Sequence, residues 1–285
     1  MTWWFAACQK PNEQMKQQAI ARQLQLTKPT GSLAALENIA IQLAALQGTT
    51  QPNIERPWIC IFAGDHGVME ENISAYPQAV TRQMLQNFAT GGACISVIAR
   101  QYQAHLQVVD CGSVGEAYEY AGVERHCIRA GTANFAKTRA MTEQACADAM
   151  ALGRQSVEDA IAQQASIYVA GEMGIGNTCS ASALSCFLLQ EPAEALTGIG
   201  TGIDTAQLQH KKQVIDAALA LHQNYVQDDA FKALCAVGGL EVAAMVGAYI
   251  RCAQLGLPMV VDGFISSAAA LVAVRLNPQV REWML

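Results

Sequence analysis

Ile167-Tyr168-Val169-Ala170 runs directly into Gly171-Glu172-Met173-Gly174-Ile175-Gly176-Asn177-Thr178, and this stretch decides the fold. The apolar run predicts a buried strand, and the helix-like run at residues 179–189 predicts a strand–turn–helix unit. Three glycines within residues 171–176 let the backbone turn tightly and approach a ligand closely. We expect Asn177 or Thr178 to cap the helix, whose first N–H groups would then face an anion such as a phosphate.

The same pattern occurs at three other places in the chain. Apolar runs end in loops of Gly and Asp at Gly64-Asp65-His66-Gly67, Asp110-Cys111-Gly112 and Asp262-Gly263. Helical patterns separate these runs, at residues 80–100, 142–165, 205–225 and 239–255. Strands that alternate with helices predict an α/β fold with a mostly parallel, Rossmann-like sheet. Because ligands bind beyond the carboxyl ends of such strands, the four loops should share one edge.

The N-terminal part predicts helices outside this alternation. Residues 9–28 are polar and compatible with a helix. Ser32 has the character of an N-cap, and Gly48 that of a helix stop. Between them, apolar residues recur at helical spacing and predict an amphipathic helix, at Leu33, Leu36, Ile39, Leu43 and Leu46.

A second glycine turn, residues 197–202, precedes Asp204 and Gln207, which have the spacing of a capping box. The helix that follows carries Lys211, so glycines, backbone N–H groups and a cation meet in a setting suited to phosphate. Alone, such a turn favours the interpretation as a tight strand-to-helix connection. Two such turns in one α/β chain favour phosphate binding.

Other candidate site residues have two interpretations each. Glu172 is either a general base in a dry cleft or an ordinary loop carboxylate. Tyr76 and Met84 either line a flat aromatic pocket or pack in the core. The acidic loop residues and His66 either bind a metal or brace the loops by hydrogen bonds, and bracing is favoured because no metal-ligand spacing is present.

Composition excludes several classes of protein. The chain has 285 residues, of which 52% are hydrophobic and 15% charged, with a net charge of −6, so a globular protein is expected and a nucleic-acid partner is not. We expect no signal peptide and no membrane span. The ten cysteines form no C-x-x-C pair, which predicts reduced thiols in a cytoplasmic protein and no zinc site.

The ordered set of motifs resembles the nicotinate-nucleotide–dimethylbenzimidazole phosphoribosyltransferase family of cobalamin lower-ligand assembly. It runs over residues 28–270, and its pieces are residues 28–33, 63–68, 74–78, 108–110, 171–178, 198–204, 238–241 and 262–266. The resemblance implies a homodimer with a small helical domain built from both chain ends. We expect an N-terminal helical segment at 1–55, an α/β nucleotide-binding domain at 56–270 and the start of a C-terminal small-domain segment at 271–285.

The resemblance also implies the reaction and the roles of site residues. Phosphoribose would pass from nicotinate mononucleotide to 5,6-dimethylbenzimidazole or a related base, without metal or cofactor. Tyr76 and Met84 would line the base pocket, and Glu172 would face the ribotide near the base, where we expect it to act in catalysis. The ribotide and its phosphate would contact Gly174, Gly176, Asn177, Thr178, Gly200, Gly202, Lys211 and Asp262.

One departure from the family bears on catalysis. The family's usual base is a glutamate in a Gly-Glu-Gly context past the Asp262-Gly263-Phe264 motif, and the sequence to Leu285 has no such segment. The chain is therefore expected to be a fragment of a longer protein. The alternatives are that it uses another carboxylate or is an impaired nucleotide-binding or regulatory homologue. A dinucleotide-dependent oxidoreductase is less compatible, because the first strand ends in Gly64-Asp65-His66-Gly67 rather than G-x-G-x-x-G. A metal-dependent phosphohydrolase that uses Asp65, His66 and Asp110 has little support.

Overall fold

The computed structural model describes residues 2–285, and within them a parallel sheet of five strands forms the centre of the molecule. The strand order is β3-β2-β1-β4-β5, and every pairing is parallel. The strands are β1 (Pro57–Gly64), β2 (His105–Gly112), β3 (Glu124–Arg125), β4 (Ile167–Met173) and β5 (Met259–Val260). The predicted α/β fold with a parallel sheet is confirmed.

Helices connect the strands and cover both faces of the sheet. They are α1 (Glu13–Gln23), α2 (Ala35–Gln47), α3 (Ala79–Thr90), α4 (Cys94–Gln101), α5 (Glu143–Ala162), α6 (Asn177–Leu189), α7 (Ala193–Leu196), α8 (Thr205–Val226), α9 (Ala230–Val237), α10 (Leu240–Leu255) and α11 (Phe264–Leu276). Short 3-10 helices occur at Trp3–Phe5, Gly67–Glu71 and Pro278–Trp283. None of the helices in residues 2–285 combines the length and apolar character that crossing a membrane requires.

The two faces of β1 pack into different parts of the core. Ile59, Ile61 and Ala63 lie with buried residues of α3 and α4, whereas Trp58, Cys60 and Phe62 lie with those of α5 and α10. Successive side chains of a strand point to opposite faces of the sheet. Because both faces of β1 are covered, its sequence is a continuous apolar run.

Two details of the predicted elements are wrong. The predicted helix at 80–100 is two helices, because Gly91 ends α3 in the left-handed conformation with φ of 87°. The short edge strand β3 was not predicted, because its two residues are exposed and charged.

The predicted start of the amphipathic helix α2 is also wrong. Helix α2 begins after Ala34, and the Glu37 carboxylate rather than Ser32 accepts a backbone hydrogen bond there, from the Leu33 N–H at 3.2 Å. The apolar stripe is buried only in its second half. Leu33 and Leu36 are 51% and 62% exposed, whereas Leu43 is buried.

The two ends of the chain lie together. The Trp283 indole donates to the Gln9 carbonyl at 2.8 Å, and the Gln42 amide donates to the Met284 carbonyl at 3.0 Å. This contact is what a small domain built from both ends would need. The division at residues 55 and 270 stays a prediction, and residue 270 lies inside α11.

Helices α5 and α10 pack closely through glycines. A Cβ on Gly153 would lie far inside van der Waals contact with the Ala244 carbonyl oxygen, and one on Gly247 would overlap the Met150 carbonyl. Backbone atoms cannot yield to such a methyl group without moving a helix.

We expect Gly153→Ala to destabilise the protein by about 3 kcal/mol, since overpacking at a helix crossing forces backbone movement. Chemical unfolding measures the change. The matched control is Gly198→Ala, because among residues 2–285 no atom outside its chain neighbours lies within 4 Å of a Cβ there. Similar losses in both variants would contradict close packing at Gly153.

Candidate active site

The site lies at the carboxyl ends of β1 and β4, where the strand order reverses. From β1 the chain continues to β2 on one side and returns to β4 on the other side. Phe62 pairs with Glu172, so the loop after Gly64 and the turn after Met173 leave the sheet side by side. A crevice at such a switch point is where open α/β sheets bind ligands.

Glu172 is held by the first residue of α6. The Asn177 side-chain amide donates a short hydrogen bond to the Glu172 carboxylate. The predicted capping by Asn177 or Thr178 is wrong, because Gly176 is the N-cap, in the left-handed conformation with φ of 101°. A glycine at this position makes the turn, which leaves the Asn177 side chain free to hold the carboxylate.

The surroundings of Glu172 favour its protonated form more than water would. Loss of hydration raises the pKa of Glu172 to about 7, and the negative charge of Glu241 adds to the rise. The hydrogen bond from Asn177 and the charge of His66 oppose it. A carboxylate with a pKa near neutrality is suited to accept a proton in catalysis.

His66 and the loop aspartates make hydrogen bonds within the protein. His66 Nε2 lies 2.6 Å from Glu241 Oε1, and neither side chain is exposed. Asp65 accepts from the Val114 N–H at 2.8 Å, and Asp110 accepts from the Tyr118 hydroxyl at 2.6 Å. The bracing interpretation is confirmed for these residues. Among residues 2–285 no cluster of three His, Cys, Asp or Glu side chains is placed to hold a metal ion.

The two glycine turns meet around one buried cation. Lys211 Nζ donates to Thr178 Oγ1 at 2.9 Å, and a Cβ on Gly200 would lie 3.0 Å from that hydroxyl and 3.4 Å from the ammonium. Burial lowers the pKa of Lys211, and no carboxylate in residues 2–285 forms an ion pair with it. A buried ammonium group that has no carboxylate partner is suited to bind an anion.

The second turn is formed as predicted. Asp204 accepts from the Gln207 N–H at 2.8 Å, and the Gln207 side chain accepts from the Asp204 N–H at 3.2 Å, which confirms the capping box of α8. Gly200 and Gly202 have φ of 55° and 102°. Helix α8 thereby directs Lys211 toward Thr178 at the start of α6.

The remaining predicted residues lie before α3, on α3 and after β5. Tyr76 precedes α3 and is 50% exposed. Met84 lies on α3, partly buried against the core beside β1, and its sulfur accepts from the Asn87 amide at 3.8 Å. Asp262 follows β5 and is exposed at the entrance to α11.

Sequence reasoning assigned no role to three residues that join these elements. Glu241 lies in the first turn of α10 and binds His66, and the Thr81 hydroxyl accepts from the Ile175 N–H at 3.1 Å. Gln78 donates from its side chain to the His66 carbonyl at 2.8 Å. The sole sequence signal for Glu241 was an acidic residue shortly after Gly238-Gly239.

Comparison with known proteins identifies the family of the chain. The model of a phosphoribosyltransferase family matches residues 8–285. The chain is 56% identical over its whole length to the nicotinate-nucleotide–dimethylbenzimidazole phosphoribosyltransferase of Pseudomonas putida strain W619, and 51% identical to that of Pseudomonas aeruginosa strain LESB58. It covers 81% of the length of each relative.

A solved structure agrees with both the sequence match and the fold. The crystal structure of CobT from Thermus thermophilus matches with a TM-score of 0.90 at 41% identity, over 95% of this chain and 81% of that one. The chain therefore belongs to the nicotinate-nucleotide–dimethylbenzimidazole phosphoribosyltransferase family.

Proposed function

We propose that the chain transfers phosphoribose from nicotinate mononucleotide to 5,6-dimethylbenzimidazole, which gives α-ribazole 5′-phosphate and nicotinate for the assembly of the cobalamin nucleotide loop. The observation that carries the proposal concerns the two ends of the glycine turn at residues 171–178. At one end Thr178 accepts from the buried Lys211 ammonium, which pairs with no carboxylate in residues 2–285, and at the other end the pKa of Glu172 is raised to about 7. One end provides a phosphate contact and the other a base. The family membership of the chain supports the same reaction.

In this mechanism the phosphate anchors the ribotide. Lys211, Thr178 and the backbone of Gly200 and Gly202 bind the 5′-phosphate, while Gly174, Gly176 and Asn177 contact the ribose. The glycines allow this approach because a side chain at Gly200 would occupy the space next to the ammonium. Binding energy from the phosphate then holds the anomeric carbon in line with the attacking nitrogen.

The chemical step needs a base and no acid. A ring nitrogen of dimethylbenzimidazole forms a bond to the anomeric carbon, and the bond from that carbon to the pyridinium nitrogen breaks. Nicotinate leaves as a neutral ring, because the electron pair of the broken bond cancels the positive charge of its nitrogen. The other benzimidazole nitrogen loses its proton to Glu172, and the carboxylate stabilises the positive charge that develops on the ribose.

The aromatic base is proposed to lie between Glu172 and the start of α3. Tyr76 offers an exposed ring there, and Met84 a flexible thioether on the same helix. Asp262, exposed on the neighbouring loop, is proposed to contact the ribotide. A homodimer is proposed from the family resemblance, and sedimentation of the purified protein tests it. A cytoplasmic location is proposed from the ten scattered cysteines.

The assay that tests the function combines the protein with nicotinate mononucleotide and dimethylbenzimidazole, and follows both products by chromatography. We expect equal amounts of nicotinate and α-ribazole 5′-phosphate. Release of nicotinate without the second product would indicate hydrolysis, and binding of nicotinate mononucleotide without either product would indicate a nucleotide-binding homologue.

The pH dependence of kcat should show a group that must be ionised. Since Glu172 accepts the proton as a carboxylate, and its pKa is raised to about 7, activity should increase as pH increases through neutrality. Below that pKa, kcat should fall about tenfold per pH unit. Rates measured with both substrates saturating test this. A pH profile in which kcat falls only near pH 4.5, the ordinary pKa of Glu, would contradict the raised pKa of Glu172.

A further inference from the structure

Beneath Glu172 lies a pair of buried charged side chains that the proposed reaction does not use. His66 Nε2 and Glu241 Oε1 are 2.6 Å apart, and both side chains are 0% exposed. They come from distant parts of the sequence, the loop after β1 and the first turn of α10. Burying two charges costs several kcal/mol per ion even after relaxation, so a pair of this kind adds little net stability and points to another role.

The pair lies directly against the turn that carries Glu172. A Cβ on Gly174 would be 3.3 Å from both His66 Nε2 and Glu241 Oε1, and a Cβ on Gly176 would be 3.1 Å from His66 Cβ. On the other side, a Cβ on Gly239 would be 2.6 Å from Glu241 Oε2. Glycines at these positions let the backbone of the turn lie on the charged pair.

The pair also contacts the helix that is proposed to bind the aromatic base. The His66 carbonyl accepts from the Gln78 side chain at 2.8 Å, directly before α3. Thr81 of α3 accepts from the Ile175 N–H within the glycine turn. A displacement of His66 would therefore move both the start of α3, where the aromatic base is proposed to bind, and the glycine turn that carries Glu172.

Charges from several elements act on Glu172 and the pair. Burial alone would lower the pKa of His66, but the carboxylates of Glu241, Asp65 and Glu172 outweigh it and raise that pKa. The imidazole, 2.6 Å from Glu241, therefore keeps its proton to a higher pH than a free imidazole does. Two titratable groups act on Glu172 through their charge, Glu241 from α10 and His66 after β1. Further titratable groups around them are Tyr249 from α10, Asp65 after β1, Cys111 from β2 and Asp262 after β5.

We propose that His66 and Glu241 act as a positioning pair for Glu172, in which their packing against Gly174 and Gly176 fixes the glycine turn and the Glu241 side chain acts on Glu172 from beneath that turn. The inference deepens the proposed function and rests on it for the role of Glu172. His66 and Glu241 are positioning residues, since they act through Glu172 and are not placed to contact substrate.

The first test changes the charge of Glu241 and keeps its shape. Glu241→Gln removes the carboxylate and, with it, the largest of the contributions that raise the pKa of His66. The Glu241 charge raises the pKa of Glu172 by more than the His66 charge lowers it, so we expect a net decrease. ¹³C NMR of carboxyl-labelled glutamate, assigned with Glu172→Gln, should show the Glu172 titration lowered by about one pH unit.

Two control variants separate charge from structural damage. Glu241→Asp keeps the charge one methylene further from His66, so the Glu172 titration should stay near pH 7 even if kcat falls. Glu13→Gln removes an exposed carboxylate at the start of α1 and should change neither the titration nor kcat. Equal titrations of Glu172 in wild type and Glu241→Gln would overturn the proposal, as would equal shifts in the Gln and Asp variants.

A second test needs no change in the pair. ¹⁵N NMR of the wild-type protein, with the other four histidines substituted one at a time for assignment, reports the charge of His66. We expect the His66 ring to lose its proton above the ordinary His pKa of 6.5, and a ring that becomes neutral below 6.5 would overturn the ion pair. Both NMR results are independent of turnover. If Glu172→Gln were fully active, the function assigned to Glu172 would fail while these titrations still tested the pair.

Discussion

Glu172→Gln should lower kcat by about 10²- to 10⁴-fold, the usual contribution of a general base, while nicotinate mononucleotide still binds. The amide that replaces the carboxylate has the same shape, but it cannot accept the proton from the benzimidazole nitrogen. It also removes the negative charge next to the anomeric carbon. The phosphate contact at Lys211 is unaffected, because it lies at the other end of the glycine turn.

Two measurements on the same variant decide the role of Glu172. Calorimetry should give a dissociation constant for nicotinate mononucleotide within a few-fold of wild type, and steady-state rates should give the loss in kcat. Glu70→Gln serves as the control, since Glu70 is an exposed carboxylate that pairs with Lys137 at 2.7 Å. Turnover of Glu172→Gln within threefold of the control would remove Glu172 from the catalytic residues.

Lys211→Ala should raise KM for nicotinate mononucleotide by roughly 10- to 100-fold, since a hydrogen bond to a charged group contributes about 1.5 to 3 kcal/mol. KM for dimethylbenzimidazole should change much less, because that base carries no phosphate. The folded protein should not lose stability through the charge itself, since no carboxylate within residues 2–285 pairs with this ammonium.

The neighbouring lysine provides a matched control. Lys212 pairs with Glu194 at 2.8 Å, so its ammonium is already neutralised by a carboxylate. Lys212→Ala should leave KM for nicotinate mononucleotide within about twofold of wild type. An equal increase in both KM values for Lys211→Ala, or an increase for Lys212→Ala as large as for Lys211→Ala, would contradict a phosphate site at Lys211.

The sheet was predictable because it is covered on both faces. Continuous apolar runs such as residues 58–63 and 167–170 leave little alternative to buried parallel strands, and the loops after them necessarily share one edge. The capping box at Asp204 was predictable because both of its partners lie within one helical turn. Signals of this kind are local or periodic, and a single sequence contains them.

Tertiary contacts account for the parts that the sequence did not predict. The pair of His66 and Glu241 joins residues that are 175 positions apart, and no local pattern relates them. Asn177 is as plausible as a helix cap as it is as a partner of Glu172, and the left-handed Gly176 decides between the two. Convergence of Thr178, Gly200 and Lys211 likewise depends on how α6 and α8 pack.

A crystal structure with nicotinate mononucleotide bound tests the central claim most directly. We predict the 5′-phosphate between Thr178, Gly200 and Lys211, with Lys211 Nζ within hydrogen-bond distance of a phosphate oxygen, about 3 Å. The anomeric carbon should face the Glu172 carboxylate. A phosphate bound away from both glycine turns, or a ribose whose anomeric carbon points away from Glu172, would contradict the account.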